Sequence, residues 1–141
     1  MWRERIAELT NDAEFAEPAD LEMVARAQSQ LGGELPASLV ELLLEANGVS
    51  GEYDLGLVWP LARIIEDNLS FRSNPDFAEL YMPFSPLLFF ADAGNGDQFA
   101  FVQTPRRDDV FVWNHEDDSR TWVAGSLDEY LQRWLDGTLR I

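Results

Sequence analysis

The sequence predicts one α+β domain: helices first, a central antiparallel sheet next, a closing C-terminal helix last. Three observations predict this. Apolar residues recur at helical spacing through the first half, between Pro and Gly breaks. Residues 86–124 hold short runs rich in aromatic and β-branched residues, separated by turn formers. Residues 126–137 return to a helical period. The length of 141 residues matches a single domain over 1–141, at roughly 100–200 residues per domain.

Residues 1–10 form a short helix with Trp2, Ile6 and Leu9 on one side. Asn11, with Glu14 three places on, offers a second helix start. Pro18, Asp20 and Glu22 mark a further N-terminus, where proline and negative charge are favoured. Leu21, Val24, Gln28 and Leu31 then share a face until Gly32-Gly33 ends the helix. Leu35-Pro36 restarts helix, with Leu39, Leu42, Leu43 and Ala46 as its buried stripe and Asn47-Gly48 as a left-handed exit. Residues 53–59 (YDLGLVW) read as a short strand. Pro60 opens a helix with an apolar face of Leu61, Ile64, Ile65 and Leu69, and Asn74-Pro75-Asp76 starts one more turn.

Residues 86–90 (PLLFF) are apolar throughout, as in a buried strand. Gly94-Asn95-Gly96 is a turn signal. Gln98 to Val102 and Val110 to Trp113 read as adjacent strands joined by residues 103–109 (QTPRRDD). A second turn from His115 to Ser119 leads into Arg120 to Ala124. Ser126 and Glu129 form a capping box. Leu127, Tyr130, Leu131, Trp134 and Leu135 then point inward, and Gly137 ends the helix. Trp2 and Trp134 read as core. Trp59 and Trp113 read as core or as exposed anchors of a binding surface, where Trp is enriched.

Composition excludes several classes. A hydrophobic fraction of 46% argues against disorder despite a net charge of −16. No apolar run approaches the length of a membrane span. The start, Met-Trp-Arg-Glu-Arg, lacks the apolar stretch of a secretory signal, and there is no cysteine, so the expectation is a cytoplasmic protein without disulfides. Acids outnumber bases 26 to 10, and every base is Arg. That balance argues against binding nucleic acid or anionic lipid, both of which require surplus Lys and Arg. It permits a basic protein partner.

Candidate chemistry is sparse. His115, the only histidine, lies in Asn114-His115-Glu116-Asp117-Asp118, where it reads as a general base or metal ligand beside carboxylates, or as an exposed turn residue at the end of a strand. Asp92, Asn95 and Asp97 offer calcium-type oxygens, but they lack the spacing of a calcium loop and are also ordinary turn formers. Glu52 with Asp54, or Asp108 with Asp109, matches an acid–base pair only in residue type. No phosphate-binding, dinucleotide, hydrolase-elbow or zinc-protease signature occurs. The Asn68-Leu69-Ser70 glycosylation match carries no weight without a secretory signal. Two acidic stretches stand out: Glu34 through Asp54, and Asp108 through Asp118. Each is a solvated face or a landing site for a cationic protein.

Taken in order, several of these pieces resemble the SUKH superfamily, whose founding members are the fungal Smi–Knr cell-wall regulators. Leu31-Gly32, then Leu35-Pro36, then Asn47-Gly48 is similar to its entry. Leu88-Phe89-Phe90 leading into Asp92 through Asp97 and Phe99 is similar to its acidic, glycine-rich turn. Val110 to His115 and Ser126 to Leu131 also fit, and the resemblance covers about residues 18–136. Asp92, Gly94, Gly96, Asp97 and Trp113 stand at family-like positions.

The resemblance implies a non-catalytic binding domain that needs no cofactor or metal. Its bacterial members commonly act as immunity proteins that bind and occlude a toxin, often a nuclease. The partner expected here is a basic toxin. The expected contacts are Glu52, Asp54, Trp59, Asp92, Asp97, Asp108, Asp109, Trp113, His115, Glu116, Asp117 and Asp118. Two other readings stay open: a regulatory or scaffold module of the same fold, and a small metal-dependent hydrolase centred on Asp92, Asp97 and His115.

Overall fold

A computed structural model describes residues 1–103 and 106–139, with backbone alone for Ala78 and Arg106. Helix α1 (Trp2–Leu9) buries Ile6. The expected helix start at Asn11 does not form. Glu14–Phe15 is instead strand β1, paired antiparallel with β2 (Val49–Ser50). A distant strand partner outweighs a weak local capping signal.

Helix α2 (Leu21–Leu31) begins where the Asp20 carboxylate accepts a hydrogen bond from Met23 N at 2.8 Å and ends at Gly32, φ +76°. Its inward face is Val24, Ala27 and Leu31, while Leu21 is turned out to solvent. Helix α3 (Ala37–Glu45) buries Leu39, Leu42 and Leu43 as expected, and Gly48, φ +114°, makes the exit. Asn47 does more than exit. Its Oδ1 accepts from Leu61 N at 2.8 Å and so caps helix α4 (Leu61–Ser73), a role Pro60 cannot fill.

The run expected as one strand over 53–59 is divided. Glu52–Asp54 is a 3-10 turn, and strand β3 covers only Gly56–Val58. Tyr53 and Asp54 both have left-handed backbone, which no strand can pass through. Helix α4 also differs in its face. Leu69 is exposed, and Asn68 takes the inward position with Leu61 and Ile64. The Asn68 amide donates to Ile64 O and Phe89 O and accepts from Phe89 N, so every polar atom is used. Helix α5 (Pro75–Leu80) is capped by Asn74.

Strands β4 (Leu87–Asp92), β5 (Gln98–Gln103), β6 (Arg106–Trp113) and β7 (Arg120–Ala124) form an antiparallel meander in that order. Strand β6 starts earlier than expected: Arg106 pairs with Gln103, so residues 106–109 are strand rather than connection, while Thr104 and Pro105 of that connection lie outside the described residues. Strands β1, β2 and β3 form a second, small antiparallel sheet in that order, and Trp59 N, just after β3, donates to Phe90 O at 2.7 Å and ties it to the large one. Helix α6 (Leu127–Leu135) closes the fold. Glu129 N donates to Ser126 Oγ at 3.1 Å, while the Glu129 carboxylate reaches Gly125 N, one residue before the cap.

Alternating strand residues divide the core into two aromatic layers. Phe90, Phe99 and Phe101 pack on the side of Tyr130 and Trp134 of α6. Phe89 and Trp113 pack on the opposite side against Phe71 and Phe84. Trp113 is 4% exposed and Trp59 0%. Both are therefore core, and neither is the surface anchor that its residue type allows. Trp2 and Trp134 are only partly buried against the core.

Candidate functional site

In an antiparallel meander, the end of β4, the start of β5, the end of β6 and the start of β7 share one end of the sheet. Asp92, Asp97, His115, Glu116, Asp117 and Asp118 gather there. The Glu52–Asp54 turn lies alongside, because Leu55 packs at Gly94: a Cβ there would lie 3.5 Å from Leu55 Cδ1. Asp108 and Asp109 do not join this group. They sit on β6 beyond Val110–Trp113. At about 3.3 Å per residue, Asp109 is roughly 20 Å from His115. The stretch 108–118, continuous in sequence, is thus two separate places.

The acids at this end differ in state. Asp92 is bound at both oxygens by Arg63, at 2.7 and 2.9 Å. Arg63 also donates to Asp67 through Nε, and its guanidinium lies 4.0 Å over the Trp59 ring. Burial works against the charge on Arg63, but its bonds to Asp92 and Asp67 outweigh this and hold it above the ordinary range. Gly56 permits the contact, since a Cβ there would stand 2.8 Å from Asp92 Oδ2. Asp97 is 6% exposed and bound to His115. Asp118 accepts from Met82 N, Trp113 Nε1 and Arg120. Burial pushes its carboxyl up, and these three bonds more than reverse that. Asp117 is exposed, and its carboxyl is lowered chiefly by the Ser119 backbone N–H.

What remains facing solvent at this end is Glu52, Asp54, Glu116 and Asp117. At the far end Asp108 is exposed, and Asp109 is bound by Trp122 Nε1 at 2.7 Å and by Arg107. Of the three residues of the hydrolase reading, Asp97 and His115 meet, while Asp92 is turned to Arg63 instead. Among the described residues, no three His, Cys, Asp or Glu side chains are placed to hold a metal.

A cleft of about 370 Å³ opens beside the acidic end, between the small sheet and the start of α4, lined among others by Glu14, Phe15, Asp54, Trp59 and Arg63. Glu14, Phe15 and Arg63 are not legible here from the sequence: β1 joins this surface only through its pairing with β2, and Arg63 of α4 is held there by Asp92 at the end of β4. It also missed Tyr53, the one large side chain of the 3-10 turn. The Gly51-Glu-Tyr-Asp string, read as a turn rather than a strand edge, was the available signal.

A model of the SMI1/KNR4 family (SUKH-1) matches residues 18–133. The chain belongs to this family. No curated protein matches it. The SUKH-1 match runs from just before α2 into α6 and leaves α1 outside. Helix α1 is nevertheless tied to the SUKH-1 core: Trp2 N and Arg3 N donate to the Glu45 carboxylate, and Arg5 Nε donates to Asp128 at 3.0 Å. The superfamily includes toxin-immunity proteins. At the positions expected from the resemblance, Asp92, Asp97 and Trp113 are engaged in internal contacts, and Gly94 and Gly96 both turn with φ +98°. Among the described residues, no helix of this SUKH-1 chain is long and apolar enough to cross a membrane.

Proposed function

We propose that this protein is a non-catalytic immunity protein that binds and occludes a cationic toxin in the cytoplasm. The docking surface is the end of the large sheet that carries Glu116 and Asp117, together with the adjoining 3-10 turn that carries Glu52 and Asp54. Membership of the SMI1/KNR4 family supports this reading. The observation that carries it is that two turns distant in sequence, each with exposed acids, stand against the Gly94–Gly96 turn: one through Leu55 at Gly94, the other through His115 at Gly96.

Carboxylates on such a surface stand where nucleic-acid phosphates would lie in the groove of a nuclease. They steer a basic partner and set its register. Occlusion requires no bond making, so no catalytic group or cofactor is needed. Within this reading Asp92, Asp97, His115 and Asp118 hold the turns in place, and Asp108 and Asp109 stand outside the interface.

The test is co-expression with the toxin domain encoded by a neighbouring gene. Restored growth and a stoichiometric complex are the expected result. A folded protein that neither forms the complex nor restores growth overturns the reading.

A further inference from the structure

Tyr53 is 95% exposed, and among the described residues its ring and hydroxyl make no hydrogen bond or ring contact. It stands at the tip of the 3-10 turn with φ +56° and ψ +31°, and Asp54 follows at φ +61°. Two consecutive left-handed residues without glycine are uncommon, and an aromatic residue suits that region poorly. Nothing in the fold calls for tyrosine here. Glycine or asparagine would close the same turn with less strain.

The turn is also firmly held. Gly51 N donates to Leu55 O at 2.8 Å, Asp54 N to Gly51 O at 3.1 Å, and Leu55 N to Glu52 O at 3.2 Å. Gly51 is backed by the Leu57 side chain, and Leu55 packs at Gly94. A rigid loop thus drives a large aromatic into water at the expense of backbone strain. Strain kept where the surroundings over-determine it is a mark of a functional position.

We infer that Tyr53 is the anchor of the partner interface, inserting into an apolar pocket of the toxin whose rim carries arginine or lysine. The inference rests on the immunity reading above and deepens it. Tyrosine gives a large contact with few rotamers to order and a hydroxyl for the pocket wall, which is why it recurs at interface hot spots. Glu52 and Asp54 flank it and select a cationic rim. A pocket without such a rim would leave both carboxylates desolvated and unanswered.

The experiment compares Tyr53→Gly, Tyr53→Phe and Asp54→Asn/Glu116→Gln/Asp117→Asn for affinity to the toxin domain from the co-expression test, with urea midpoints of the free proteins. Tyr53→Gly is expected to raise the urea midpoint, since glycine relieves the left-handed strain, and to weaken binding by tenfold or more, on the order of a hot-spot loss. Tyr53→Phe is expected to stay within about threefold, because the ring carries most of the contact. Unchanged affinity in Tyr53→Gly, with clear weakening by the triple acid variant, overturns the anchor and leaves the immunity reading standing. A lowered midpoint together with weaker binding also overturns it, by assigning Tyr53 a structural role. Wild-type protein that binds no toxin removes both.

Discussion

One oxygen of Asp97 accepts two hydrogen bonds from His115, from ring Nδ1 at 2.6 Å and from backbone N at 3.1 Å. The bond joins the β4–β5 turn to the β6–β7 turn. Gly96 lies against the same ring: a Cβ there would be 2.9 Å from His115 Cε1. The only histidine of the chain is thus a clasp between two turns of the proposed docking surface.

Asp97→Ala leaves the part-buried His115 backbone N–H without its acceptor and frees the ring. We expect a loss of about 2 kcal/mol. His115→Ala is expected to lose less, because its side chain is 40% exposed. A double-mutant cycle in urea measures the coupling, and additive single losses would show that the clasp is not formed.

Asn68 is the second strut. Its amide serves both the N–H and the C=O of Phe89, beside a register shift in β4 between Phe89 and Ala91. Asn68→Leu matches the apolar surroundings in volume but leaves two buried backbone groups unmet. We expect a loss on the order of 3 kcal/mol, read from the urea midpoint. A variant as stable as the parent refutes the bridging role.

Asp118 links stability to pH. Its folded pKa lies below the unfolded value of about 3.9, so the unfolded chain takes up the proton first as pH falls. Its contribution is complete above about pH 4–5 and drains as pH drops through the folded pKa. Asp118→Asn is expected to be less stable than the parent at pH 7 and to approach it near pH 3. Urea midpoints across that range check this, and a constant difference contradicts it.

The division of the acidic stretch has a kinetic consequence. Asp54→Asn/Glu116→Gln/Asp117→Asn should slow toxin association by about tenfold at low salt, and by less near 0.15 M, where screening falls to about 8 Å. Asp108→Asn/Asp109→Asn should leave the rate nearly unchanged. Stopped-flow measurement at two ionic strengths decides. Equal slowing by both variants would place the far end in the interface too.

Gly56→Ala forces a Cβ to 2.8 Å from Asp92 Oδ2 and 3.0 Å from Trp59 Cδ1. The rigid indole and the paired Arg63 leave little room to give, and we expect a loss of about 1–3 kcal/mol. Gly33→Ala meets nothing within 4 Å and serves as the neutral control in the same thermal melts.

Helix ends were legible in the sequence because caps act over three or four residues. Asp20, Asn74 and Ser126 each accept a hydrogen bond from a nearby backbone N–H, and Gly32 bends the chain within its own residue. The early start of β6 was not legible, since Arg-Arg-Asp-Asp has turn composition and only pairing with β5 holds it extended. Asn68 was passed over for Leu69, because the apolar pattern carries no record of what Phe89 needs from across the core. Glu52 and Asp54 were legible as acids, but not Tyr53 between them, whose meaning lies in its backbone and exposure.

The sequence by itself determined the fold class, the order of nearly every element, the family and the sign of the charge. All of these depend on local pattern or on sums over the chain. Only the tertiary structure decided which acids are surface and which are struts, that Trp59 and Trp113 are core, and that Leu55 and His115 both stand against the Gly94–Gly96 turn. Neighbours in sequence such as Asp109 and His115 are held apart by a rigid strand, whereas Asp97 and His115 are brought together by strand pairing. A carboxylate's role follows from the donors that surround it, and those arrive from other elements only when the chain folds.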